Sequence, residues 1–167
     1  DGDYEGALSG FGAVVQAYPE TRIFPLALYR LAYSEFQLGR YREAAGHFAR
    51  FLKDCPDHEL EDDARLLYAR ALSEQGKYFE AAQSLGVLAA DPDGRFFDVA
   101  LESFEEHFAV LTTQEKRTLL EEFSTSYLGA YLFFNLGEEA YENGDLESAA
   151  LYLRRLERRS RDGGQLE

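Results

Sequence analysis

Apolar side chains recur at helical spacing along nearly the whole chain. Between residues 41 and 52 they fall at Tyr41, Ala44, Ala45, Phe48, Phe51 and Leu52, steps of 3, 1, 3, 3 and 1 that line one face of an α-helix. The stripe recurs at Tyr4, Ala7, Leu8, Phe11, Val14, Val15 and Tyr18, and again at Tyr78, Ala81, Ala82, Leu85 and Leu88. Before the second and third stripes stand two more helical segments, PLALYRLAYSEFQLG from Pro25 and DARLLYARALSEQG from Asp63. AYLFFNLGEEAYENG from Ala130 likewise precedes GDLESAALYLRRLERRS from Gly144. Strand-like alternation is nearly absent, so the pattern predicts an all-α chain of units reading helix, tight turn, helix.

The punctuation repeats with the stripes. Each striped segment opens on a glycine, and these stand at 2, 39, 76 and 144, spacings of 37, 37 and 68. A fixed period in this range marks a helical solenoid. Gly39, Gly76 and Gly144 fall where a first helix stops and reverses, a position that favours left-handed backbone angles. Pro19, Pro56 and Pro92 follow the striped helices and end them. A turn of so few residues packs the two helices antiparallel. Ala32, Ala69 and Gly137 then face Ala44, Ala81 and Ala149, where larger side chains would push the helices apart.

Between Gly94 and Tyr127 the glycine pattern lapses. FFDVALESFEEHFAVL still reads as a helix, and TTQEKRTLLEEF as another, with Thr112 three places before Glu115 as a capping box. These two helices are expected to be a degenerate repeat or an irregular helical insert. The predicted organisation is a single solenoid domain over 1–161: the second helix of a truncated repeat at 1–19, repeats at 25–58 and 62–92, the degenerate repeat at 95–126, and a repeat at 130–160. Residues 162–167 are expected to be a linker or tail.

The unit from Pro25 to His58 resembles the tetratricopeptide repeat, a helix-turn-helix of about 34 residues. Leu28, Leu31, Ala32, Gly39, Tyr41, Ala44, Phe48, Phe51 and Pro56 occupy that family's large, small, glycine, tyrosine, alanine, aromatic and proline positions. Residues 62–92 keep Ala69, Gly76, Tyr78 and Ala81, and residues from Ala130 keep Leu136, Gly137, Tyr141, Gly144 and Ala149. The resemblance implies antiparallel helix pairs forming a right-handed superhelix. The stretch YPETRIFPLALYRLAYSEFQLGRYREAAGHFARFLKDCPDH, with its three extra residues per unit, is similar to repeats of bacterial envelope proteins, the Tol-associated periplasmic cell-division coordinator and outer-membrane assembly lipoprotein D.

The resemblance implies a non-catalytic adaptor, periplasmic or outer-membrane-associated, binding a protein or peptide without a cofactor. In this family the groove is lined by first-helix residues facing away from the second helix. Here those are Leu26, Tyr29, Arg30, Tyr33, Phe36 and Gln37, then Leu66, Arg70, Ser73 and Glu74, then Tyr131, Phe134, Asn135 and Glu138. Arg154, Arg155, Arg158, Arg159 and Arg161 crowd the last helix as a basic docking patch for an acidic partner or a downstream domain, although a helix C-terminus also favours cations. Two alternatives keep the fold: the helical domain of a larger envelope protein of the penicillin-binding-protein activator type, and a cytoplasmic chaperone-type adaptor using Arg30 and Arg70.

Charge and candidate chemistry narrow the picture further. The chain carries 31 acidic against 17 basic residues, net −14, which repels phosphate backbones and argues against nucleic-acid binding. No apolar run is long enough to span a bilayer. The single cysteine rules out an internal disulfide. Cys55 with His58 is the nearest approach to a thiol–imidazole pair or half a metal site, and no second cysteine or HxxxH accompanies it. An enzymatic reading rests on Glu105, Glu106 and His107 converging in a pocket. Glu59, Glu61, Asp62 and Asp63 precede a helix whose N-terminal dipole accounts for them.

Overall fold

The computed structural model describes residues 3–163, and among them the chain is an all-α helical repeat structure of nine helices without a strand. The helices are α1 (Tyr4–Ala17), α2 (Phe24–Gln37), α3 (Tyr41–Asp54), α4 (Glu61–Ser73), α5 (Tyr78–Ala89), α6 (Phe97–Val110), α7 (Thr113–Phe123), α8 (Leu128–Glu142) and α9 (Leu146–Gly163). They fall into two compact units, Asp1–Leu88 and Ala89–Glu167. Every segment read as helical forms one. The first leading glycine, Gly2, lies outside the described residues, and α9 runs into the stretch expected as a tail.

Three helix reversals share one construction. Gly39, Gly76 and Gly144 have φ of 71°, 72° and 78°. After α2, the Gly39 N–H donates to the Phe36 carbonyl at 3.0 Å and the Arg40 N–H to the Glu35 carbonyl at 2.9 Å. After α4, Gly76 donates to Ser73 and Lys77 to Leu72; after α8, Gly144 donates to Tyr141 and Asp145 to Ala140. This is the Schellman arrangement, which satisfies carbonyls that the ending helix leaves without partners. No atom lies within 4 Å of a Cβ built on any of the three glycines, so the backbone angle alone requires glycine there.

In the first unit the tight reversals bring small residues into the helix interfaces. Ala32 and Ala44, and Ala69 and Ala81, are fully buried. Phe48 and Phe51 of α3, also fully buried, meet Tyr29 of α2 edge-on at ring distances of 5.9 Å each. Polar links are placed across the same joints. Glu35, nearly buried on α2, meets His47 Nδ1 of α3 at 2.6 Å, and Gln75 Nε2, just past α4, donates to the Tyr41 carbonyl at 3.1 Å. Pro25 sits in the first turn of α2, where its missing N–H costs nothing.

The second unit makes one reversal differently. Leu111 and Thr112, between α6 and α7, are both extended, and Thr112 and Glu115 form the predicted capping box. Lys116 of α7 donates to Glu139 of α8 at 2.7 Å and lies over the Phe108 ring of α6 at 5.1 Å. Phe104 and Phe108 meet Tyr131 of α8 at 6.3 and 5.6 Å. The last pair follows the glycine pattern with a different contact: Gly137 of α8 faces Leu153 and Tyr152 of α9, and a Cβ on it would lie 3.0 Å from Leu153 Cδ2.

Gly39→Ala is expected to cost about 1–2 kcal/mol, because alanine must adopt the left-handed angle. Gly46→Ala, in the middle of α3 with open space around it, should stabilise by roughly 0.5–1 kcal/mol. Urea denaturation of the two variants checks both signs. Burial pushes the Glu139 carboxyl up, but the hydrogen bonds from Lys116 and Thr113 and the Lys116 and Arg117 charges outweigh it and hold it below its ordinary 4.5. A depressed carboxylate contributes stability that is present above the unfolded value and lost as pH falls through the folded one. The urea midpoint should therefore fall below about pH 4.5, and by less in Glu139→Gln, which already lacks that contribution at neutral pH.

Candidate interaction surfaces

The residues expected to line a groove divide by burial. On α2, Leu26, Arg30 and Gln37 are exposed, whereas Tyr29 is 9% exposed and packed between Phe48 and Phe51. Tyr33 is half-buried, stacked on Tyr29 and touching Tyr4 of α1 edge-on, and Phe36 is half-buried against Tyr41. On α4, Arg70 is exposed, as is Glu74 at its C-cap, while Leu66 is 7% exposed. Tyr29 and Leu66 are therefore core residues and not partner contacts.

In the second unit the outward face of α8 carries Phe134 at 46% exposure, with Tyr127 at 56% just before the helix and Tyr141 at 67% near its end. Each is seven positions from the next, and they lie opposite the buried Leu132 and Leu136, so one stripe of large side chains faces outward. Tyr131 lies in the same stripe but is half-buried by α6. Burial first, and the Glu105 charge second, push its hydroxyl up to about 12. Asn135 is half-buried and donates to the Tyr131 carbonyl at 2.8 Å. Beside the stripe, Leu101 and Glu105 of α6 with Tyr127, Leu128, Ala130, Tyr131 and Arg159 enclose a cleft of about 370 Å³. Tyr127 is held from behind by an edge contact with Phe97 at 5.3 Å.

The sequence reading missed Tyr127 and treated Tyr141 as architectural. The signal that would have found them was present: aromatics at 127, 134 and 141 keep a seven-residue spacing. The registration with the repeat hid it, because Tyr141 coincides with a position the repeat motif already explained.

The five arginines of α9 also divide. Arg159 reaches back to the end of α7 and donates to the carbonyls of Ser124, Thr125 and Ser126, so it belongs to the fold and not to a docking patch. A Cβ on Gly129 would overlap the Ser124 carbonyl oxygen, so the start of α8 is pressed against the same turn. Arg161 pairs with Glu157. Arg154, Arg155 and Arg158 remain exposed.

Among the described residues, the candidate catalytic groups named in the sequence do not converge. Glu105 lines the cleft, Glu106 is exposed, and His107 is half-buried with its imidazole held below its ordinary value by burial, which the Glu106 charge opposes. Consecutive helical residues point about 100° apart, and only Glu105 of the three reaches the cleft. Cys55 is buried and its thiol pushed up, chiefly by burial and then by Asp54, which is the reverse of an activated thiolate. His58 packs edge-on against Phe51 and accepts the Leu60 N–H at Nδ1. Both residues line a shallow depression of about 720 Å³ formed by the turns after α1 and α3. Among the described residues no group of three His, Cys, Asp or Glu is placed to hold a metal ion, and no helix is long and apolar enough to cross a membrane.

No curated protein matches the chain. Among solved structures the chain is similar at low identity to the following two. "MamA RS-1 ArsTM double mutant" is 18% identical with a TM-score of 0.48, covering 97% of this chain and 88% of that one. "Crystal structure of MamA" is 15% identical with a TM-score of 0.45, covering 98% and 92%. Residues 26–58, the α2–α3 hairpin whose motif positions are described above, match the family described as "Tetratricopeptide repeat".

Proposed function

We propose that the protein is a non-catalytic interaction scaffold that binds a protein or peptide partner. The observation that carries this reading is the outward stripe of Tyr127, Phe134 and Tyr141 beside the α6–α8 cleft. Large rigid aromatics give much contact area for little lost rotamer freedom, and such side chains concentrate at interface hot spots. Leu101, Leu128 and Ala130 give the cleft an apolar lining, while Glu105 supplies a carboxylate. With Arg159 also lining the cleft, that combination suits a partner side chain with an apolar body and a tip that both donates and accepts. The tetratricopeptide match over residues 26–58 supports the same reading by family habit.

The proposed setting is a bacterial cell envelope. Its support is the resemblance of the residues around the second unit of the repeat to envelope repeats. The net charge of −14 fits a protein or peptide partner better than nucleic acid.

Replacing Tyr127, Phe134 and Tyr141 together by alanine is expected to lower the melting temperature by only a few degrees, chiefly through the lost Tyr127–Phe97 edge contact, and to keep the unfolding cooperative. The same change should remove any protein that co-purifies stoichiometrically with the wild type from its own cells. Equal recovery with the variant would sink the α8 reading. Mass analysis of the N-terminal peptide of the endogenous protein tests the setting separately. A processed or lipidated N-terminus is expected, and an unprocessed one overturns the envelope proposal while leaving the scaffold proposal standing.

A further inference from the structure

The outer face of α9 presents a cationic stripe that neither the fold nor the proposed α8 surface uses. Leu151, Arg154, Arg155 and Arg158 stand at i, i+3, i+4 and i+7, so they share one face, and all four are exposed. The opposite face packs inward through Ala149, Tyr152 and Leu156, with Arg159 engaged at the end of α7. Among the described residues no acidic side chain pairs with Arg154, Arg155 or Arg158, whereas Arg161 has Glu157.

The helix dipole does not account for them. α9 extends to Gly163, and its last turn contains only Arg161 among the basic residues. Dipole stabilisation falls off within the final turn, and Arg154 and Arg155 lie more than two turns before the end. Arg154 with Arg158, and Arg155 with Arg159, are like charges at i, i+4, an arrangement that destabilises a helix. The stripe is thus a local cost in a chain with net charge −14.

We propose that the outer face of α9 docks an acidic, leucine-bearing segment of a partner protein. Charge complementarity selects acidic chemistry, and Leu151 gives a short apolar contact at one end of the stripe. From 151 to 158 the stripe is about 10 Å long, comparable to the Debye length at physiological salt. A narrow segment lying along it meets these three arginines at one end and Glu147, one turn before Leu151 on the same face, at the other, so its acidic residues fall beside Arg154, Arg155 and Arg158. An anionic membrane fits less well. Interfacial helices insert a broad apolar face, and the apolar face of α9 is occupied by α8.

The test uses a fluorescent Glu/Leu peptide and, in parallel, phosphatidylglycerol vesicles. Wild-type protein is expected to bind the peptide with affinity that falls as salt rises. The triple variant R154E/R155E/R158E should bind it roughly tenfold more weakly or worse, and the triple lysine variant should retain most of the binding. R154Q/R158Q should weaken the peptide and at the same time raise the melting temperature, a pairing that a purely structural role would not give. Binding to vesicles without binding to the peptide overturns the proposal. So does absence of binding to either probe, or an equal loss of peptide in R30E/R70E, which would place the contact on other helices.

Discussion

A helix hairpin this tight depends on one backbone state, the left-handed angle at the residue after the first helix. At Gly39, Gly76 and Gly144 that angle turns the chain and lets two N–H groups reach back to otherwise unpartnered carbonyls. The interface follows from the turn. Helices that reverse within a few residues lie close together, and close approach requires Ala32, Ala44, Ala69 and Ala81 at zero exposure. Phe48 and Phe51 then fill the wider part of the first unit beside Tyr29. Burial of these rings is favoured by roughly 25 cal/mol per Å² of apolar surface removed from water.

Where the glycine is missing, other chemistry does the same task. Leu111 and Thr112 are extended, and the Thr112–Glu115 capping box satisfies the first N–H groups of α7. At the far end of α7, Arg159 donates to three carbonyls from a helix more than thirty residues away. Lys116 joins α6, α7 and α8 through the Phe108 ring and Glu139. This part of the second unit is therefore fixed by long-range polar contacts, whereas the glycine reversals are specified locally.

The outward faces follow from what the inward faces need. α8 buries Leu132 and Leu136, which leaves Phe134 and Tyr141 on its opposite side with Tyr127 just before it. α9 buries Ala149 and half-buries Tyr152 and Leu156, which leaves Leu151 with three arginines. Neither outward face is explained by packing in its own unit. On α2 the reverse happened: Tyr29, Tyr33 and Phe36 carry similar chemistry, yet ring contacts within the first unit absorb them to different degrees.

The sequence alone determined the helical class, the helix boundaries to within a few residues, the three glycine reversals, the proline start of α2 and the capping box of α7. These are legible because each depends on neighbours within about four positions, through helical period, backbone angle or local hydrogen bonding. The tertiary structure decided which outward-looking residues reach solvent. Tyr29 and Phe134 read alike in sequence, but Tyr29 lies between two α3 rings while Phe134 has no such cover. Arg159 and Arg158 are adjacent and chemically identical, and only the approach of the α7 end gives one of them three carbonyls. Exposure depends on helices brought together from distant parts of the chain, and helical period fixes a residue's direction without fixing what stands in front of it.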